Sequence, residues 1–163
     1  MSRQLAELEA LLQQLIGEHR KLLKQVDAHQ AAMKLLDLKA MDAAAQQQEA
    51  CRLRIATVEN KRRMLSVVLA RQANLAGEPT ISRLAELYPV RAKELCALRD
   101  ELKMVIIEVT SKTHVAGKLA GAVLGHLNTV VRVIAGAVEQ AGVYTRQGTP
   151  RVAGRIGVVD AVG

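Results

Sequence analysis

Residues 3–36 carry a heptad pattern. With Leu5 as the first position, the core series reads Leu5, Leu8, Leu12, Leu15, His19, Leu22, Val26, His29, Met33 and Leu36, all apolar except the two histidines. Leu11, Ile16, Leu23 and Leu35 widen the stripe beyond a two-stranded seam, so the pattern predicts a long helix in a bundle. No Gly or Pro marks its end. Asp37 and Asp42 are each able to cap a following helix through a backbone N–H, which places a tight turn at 36–38. A second seam follows to about Asn74: Met41, Ala44, Gln48, Cys51, Ile55, Val58, Arg62, Leu65 and Leu69. Its first half is thin and polar.

The clearest break is Gly77-Glu78-Pro79, where Gly ends a helix and Pro prevents its resumption. Thr80 caps a short helical turn with Ile81, Leu84 and Leu87 on its apolar side. Pro89 stops that turn and suits the first position of the next helix. The third long helix is expected over about 90–141, about 75 Å at 1.5 Å per residue. Its first half carries Leu95, Leu98, Leu102, Val105, Ile106 and Val109. Its second half carries Gly117, Gly121, Gly125 and Gly136 together with Leu119, Val123, Leu124, Leu127, Val130, Val131, Ile134 and Val138. Each interior Gly costs a helix roughly 1 kcal/mol relative to Ala, so this half needs a partner surface. After Gly142 the stripe dissolves among Gly and Pro150. The expected architecture is an all-α antiparallel, coiled-coil-like bundle of three long helices with one short helix before the third. It spans 1–142 and is followed by a flexible tail over 143–163.

Composition sharpens this. The apolar half of the chain is aliphatic, with no Trp or Phe and only Tyr88 and Tyr144. That argues against sandwiches and barrels, and against platforms that stack single-stranded bases on aromatic faces. The formal charge of +7 concentrates in the run Arg52, Arg54, Lys61, Arg62, Arg63 and in the tail with Arg146, Arg151 and Arg155. Such a patch would suit nucleic acid, but without aromatics a solvated helix face balanced by Glu49 and Glu59 is favoured. Cys51 and Cys96 form no disulfide framework and read as buried free thiols in a reducing compartment. Residues 1–16, with Arg3, Glu7 and Glu9, do not read as a secretory signal. The most apolar window, 115–138, contains Lys118, His126, Asn128 and Arg132 and reads as a poor membrane span. A soluble cytoplasmic protein is expected.

No catalytic or metal-binding constellation is apparent. His19 and His29 stand about three turns apart on one helix and cannot share a metal unaided. Gly117-Lys118-Leu119 lacks the rest of a phosphate-binding loop. No cofactor is implied, and an enzyme is not expected. The glycine series admits three readings: close packing within the molecule, a groove for a foreign helix, or a membrane-surface role. The candidate partner-binding residues are Leu119, Val123, Leu127, Val130, Val131, Ile134 and Val138.

Three segments, taken in order, resemble the FlgN family of flagellar export chaperones. They are Leu35-Leu36-Asp37-Leu38-Lys39-Ala40-Met41 after a Leu-rich first helix, Glu59-Asn60-Lys61-Arg62-Arg63-Met64-Leu65, and the closing Val143-Tyr144-Thr145-Arg146-Gln147-Gly148. Where that family carries an Asn-x-x-Asn pair in its third helix, this chain reads His114-Val115-Ala116-Gly117. The resemblance implies a non-enzymatic cytoplasmic chaperone. It would hold the amphipathic C-terminal helices of hook-associated (hook–filament junction) proteins before type III export, and would meet the export apparatus. Two alternatives share the fold: a helical adaptor of another assembly, and a basic nucleic-acid-binding protein. The apolar seams can close within one chain or be completed by a second copy.

Overall fold

A computed structural model describes the backbone over residues 2–142 and the side chains over 3–137. The tail expected over 143–163 and the side chain of Val138 lie outside the described residues. The elements are α1 (Ser2–Leu35), α2 (Leu38–Gln72), α3 (Ile81–Leu87), a single 3-10 turn (Pro89–Arg91) and α4 (Ala92–Gly142). The chain is an all-α bundle whose described residues include no strand.

The turn after α1 forms without glycine. Leu36 takes a left-handed backbone, φ 54°, and the helix closes with Asp37 N–H on the Ala32 carbonyl (3.0 Å) and Leu36 N–H on Met33 (3.2 Å). Asp37 then starts α2, its carboxylate accepting from Ala40 N–H at 3.0 Å. One residue thus ends one helix and the next begins another, which reverses the chain tightly. The consequence for the pattern is that Leu35 and Leu36, expected in the core stripe, are exposed: Leu35 is the last residue of α1 and Leu36 has already left the helical path. A left-handed Leu costs on the order of 1 kcal/mol that Gly avoids. We therefore expect Leu36→Gly to raise stability by roughly 0.5–1 kcal/mol, measured by urea denaturation; a loss would mean that the half-exposed Leu36 side chain contributes more by packing than its backbone costs.

The end of α2 lies upstream of the expected glycine. Asn74, φ 57°, takes the left-handed position, with Leu75 N–H on Ala70 (2.9 Å) and Asn74 N–H on Arg71 (3.0 Å). Asn tolerates this conformation better than most residues. Gly77, φ 90°, serves the loop that follows. Thr80 caps α3 by accepting from Arg83 N–H at 3.1 Å, and Pro89 opens the turn into α4, both as the pattern implies.

By packing, the chain divides into one unit through Ala120 and a second from Gly121. In the first, α1 and α2 run antiparallel and close together, and the first half of α4 runs parallel to α1. Three ion pairs record that direction: Glu9–Arg91 (3.4 Å), Glu101–Arg20 (2.7 Å) and Asp27–Lys112 (2.7 Å). The core has two apolar clusters. One joins Leu5, Leu8 and Leu12 of α1 with Leu69, Leu84, Ala85, Tyr88 and Leu95; the Tyr88 hydroxyl satisfies itself on the Leu69 carbonyl at 2.9 Å. The other joins Ile16, Leu22 and Val26 with Cys51, Val105 and Val109. Ile106, expected in the seam, is exposed because it falls to one side of the line of half-buried Leu98 and Leu102 and buried Val105 and Val109. Of the two free thiols, Cys51 is buried and Cys96 is only half-buried.

Glu18 links α1 to α2. It is buried, and accepts from Arg54 Nε at 2.8 Å and Lys21 Nζ at 2.7 Å. These bonds, Arg54 foremost, hold its carboxyl below the usual range. The unfolded carboxyl titrates near ~4.3. Glu18 therefore contributes stability that is fully present above that pH and is lost as the pH falls through its lower folded value. Glu18→Gln is expected to lower the thermal midpoint by a few degrees at neutral pH, with the gap to wild type closing as the pH is taken towards ~3. A gap independent of pH would refute an ionic origin.

Candidate functional site

In the second unit, α4 offers apolar side chains that no other described residue covers. Val123 is half-buried, while Leu124, Leu127, Val130, Val131, Val133 and Ile134 are exposed. Leu119, which belongs to the first unit, is half-buried. At about 100° per residue the seven expected partner-binding positions lie within an arc of about 120°. They continue the three- and four-residue spacing of Leu98, Leu102, Val105 and Val109, which is the spacing of a face built to be covered by other helices. In water such a face is costly, at roughly 25 cal/mol for each Å² of apolar surface left exposed.

The glycines do something other than pack within the molecule. A methyl group built at Gly117, Gly121, Gly125 or Gly136 would meet nothing within 4 Å among the described residues, so close intramolecular packing, one of the expected readings, is not realised there. On the helix wheel they fall on the side away from the aliphatic arc, where they lower helix propensity without shaping the stripe. Lys118, Asn128 and Arg132 fall on that side too. By length and composition alone, α4 does contain an 18-residue window apolar enough to cross a membrane, of mean hydropathy 1.4 and with none of it buried. The one-sided placement of the polar groups is what distinguishes the segment from a helix apolar all round.

Four of the five cations of the basic run of α2 are engaged in ion pairs, several of them at the surface; Lys61 has none among the described residues. Arg54 serves Glu18. Arg62 bonds Glu59 at 2.6 Å and Glu78 at 3.3 Å, and Arg63 bonds Glu78 at 2.9 Å. Arg52 stands 3.9 Å from Glu49. The guanidinium of Arg63, then that of Arg62, hold the Glu78 carboxyl below its ordinary range. Cations engaged in this way offer little to a phosphate backbone.

His19 donates its Nδ1–H to the Leu15 carbonyl of its own helix (2.8 Å), and His29 Nδ1 meets Gln48 Nε2 at 3.0 Å. Both are half-buried seam residues with a polar tip satisfied. Among the described residues, no three His, Cys, Asp or Glu side chains come together as a metal site would require.

Sequence reasoning missed a groove in the first unit. Helix α4 stands off from α2, and between them lies an open cleft of about 680 Å³. Leu12, Leu15 and His19 of α1 form its floor, Ile55, Glu59 and Arg62 one wall, and Leu102, Lys103, Ile106 and Ile107 the other; Glu78 to Ile81 close one end. The available signal was the pair Ile106-Ile107, since one helix cannot point both residues into a single seam.

A family model described as FlgN protein matches residues 1–151. The chain belongs to the FlgN family. That family is one of flagellar export chaperones, non-enzymatic proteins that bind flagellar components, and the match covers all the described helices. No curated protein and no solved structure matches the chain. The stretch His114-Val115-Ala116-Gly117 lies on α4 with His114 and Val115 exposed.

Proposed function

We propose that this protein is a cytoplasmic chaperone for the hook-associated proteins of the flagellum. It would hold them by their amphipathic C-terminal helices until the type III export apparatus takes them. The observation that carries the reading is the aliphatic stripe of α4 from Val123 to Ile134, left in water on a glycine-weakened helix. By their spacing in the sequence, Leu119 and Val138 belong to the same stripe. A helix laid on it exchanges two water-exposed apolar faces for one buried interface, the helix-in-groove mode of recognition. The glycines leave the unliganded segment close to its folding threshold, so part of its ordering is coupled to binding. Such coupling lowers affinity for a given area, and a chaperone that must surrender its cargo at the export gate needs that.

The test is to titrate the full chain with purified hook-associated proteins, and with the same proteins lacking their C-terminal helix, by isothermal calorimetry. Saturable binding that disappears with the helix, accompanied by a negative heat-capacity change, is the expected result. Equal binding of the truncated proteins, or binding that collapses with added salt as a polyelectrolyte contact does, would overturn the proposal.

A further inference from the structure

The α2–α4 groove in the first unit is separate from the stripe of the second, and its chemistry points to an occupant of its own. Its floor and walls are apolar: Leu12, Leu15, Ile55, Leu102, Ile106 and Ile107. Ile106 and Ile107 remain exposed, the latter at 53%, although they flank a well-packed core. The shape of what fits is displayed by the molecule itself. Helix α3 occupies the adjoining part of the bundle, seating Leu84 and Ala85 against Leu5, Leu8, Leu12, Leu69 and Leu95. The groove begins where α3 begins, at Pro79–Ile81, so a helix is the element that these walls accept. The α4 wall from Arg99 to Ile107 is about 12 Å long, or about two helical turns.

Charge selects among helices. Both carboxylates on the rim are already neutralised, Glu59 by Arg62 and Glu78 by Arg62 and Arg63. Arg99 is engaged by Ser82 and Asp100. Lys103 has no ion-pair partner among the described residues and stands exposed beside Ile106 and Ile107. An apolar slot with a spare cation on its lip complements an apolar face bordered by a carboxylate, and repels a basic one.

We infer that this groove is a second docking site, taking about two turns of an acidic amphipathic helix from a protein partner. Its apolar side chains lie on Ile55, Leu102 and Ile106, and an Asp or Glu at its edge faces Lys103. The site works independently of the stripe on the second unit, so the chaperone is able to hold one partner while a different one engages the body of the bundle.

The experiment uses two fluorescein-labelled helical peptides of about four turns. Both carry Leu on one face; Glu flanks that face in one and Lys in the other. Each is titrated into the full-length protein and followed by anisotropy. The acidic peptide is expected to bind at a single site at least about tenfold more tightly than the basic one. Ile107→Asp should weaken it about tenfold or more, and Lys103→Glu should narrow or reverse the preference between the peptides. Both side chains are exposed, so the variants are expected to keep the thermal midpoint of the wild type. Leu127→Asp/Ile134→Asp should leave acidic-peptide binding unchanged, which separates this site from the stripe. Equal affinity for the two peptides, no binding, or loss only in the Leu127→Asp/Ile134→Asp variant would overturn the inference. So would a dimer of the free chain, seen by light scattering and dissociated by Ile107→Asp, because the groove would then belong to a second copy.

Discussion

Leu127→Asp/Ile134→Asp should abolish capture of the hook-associated partner while leaving the bundle intact. Leu127 is 40% and Ile134 58% exposed, so neither carboxylate has to be buried for the chain to fold, and the thermal midpoint should stay close to that of the wild type. In the complex the situation reverses. Each substitution removes an apolar anchor worth roughly 1.5–3 kcal/mol when fully covered, and each places an unpaired charge against an apolar helix. The two together should exceed about 2.7 kcal/mol, a hundredfold loss of affinity. Calorimetric titration with the partner's C-terminal helix, alongside a thermal scan, measures both halves. Undiminished affinity in a folded double variant would remove the stripe from the site.

Leu95→Ala should have the opposite profile, a large loss of stability. Leu95 is fully buried where α1, α2, α3 and the base of α4 meet, in contact with the cluster of Leu5, Leu8, Leu12, Leu69, Leu84 and Tyr88. Truncating a buried Leu costs about 2–5 kcal/mol, depending on how far the cavity collapses, and at this chain length that lowers the thermal midpoint by on the order of 10 °C. Leu124→Ala, on an exposed side chain of the same helix, should change stability by no more than about 0.5 kcal/mol. Urea denaturation of the two variants makes the comparison. A neutral Leu95→Ala would mean that α4 is not anchored at its base, which would also deprive the groove of a fixed wall.

Much of this was visible in the pattern of residues. The apolar heptad positions of α1 from Leu5 to Met33 are buried, with His19 and His29 half-buried among them, and the thin seam of α2 is buried at Ala44, Cys51, Val58 and Leu69. The caps Asp37 and Thr80 sit where local chemistry puts them. The discrepancies have physical causes. Leu36 and Asn74 end their helices through left-handed backbones that a side-chain pattern does not reveal. The basic run looked like a patch because its neutralising carboxylates, Glu18 and Glu78, are distant in sequence. The groove was hidden because apolar periodicity reports which face of a helix is covered, not how far apart two helices stand.

The sequence by itself determined the all-helical class, the number and extent of the helices, the buried face of each, and the apolar stripe that makes the second half of α4 unsatisfied. These follow from periodicity, propensity and capping, which act over a few residues. Only the tertiary structure decided which cations are consumed in ion pairs, that the glycines of α4 touch nothing among the described residues, and that α2 and α4 part to leave an apolar groove lipped by Lys103. Those outcomes depend on distances between segments far apart in the chain, set by how the side chains of α1 fill the space between its two neighbours.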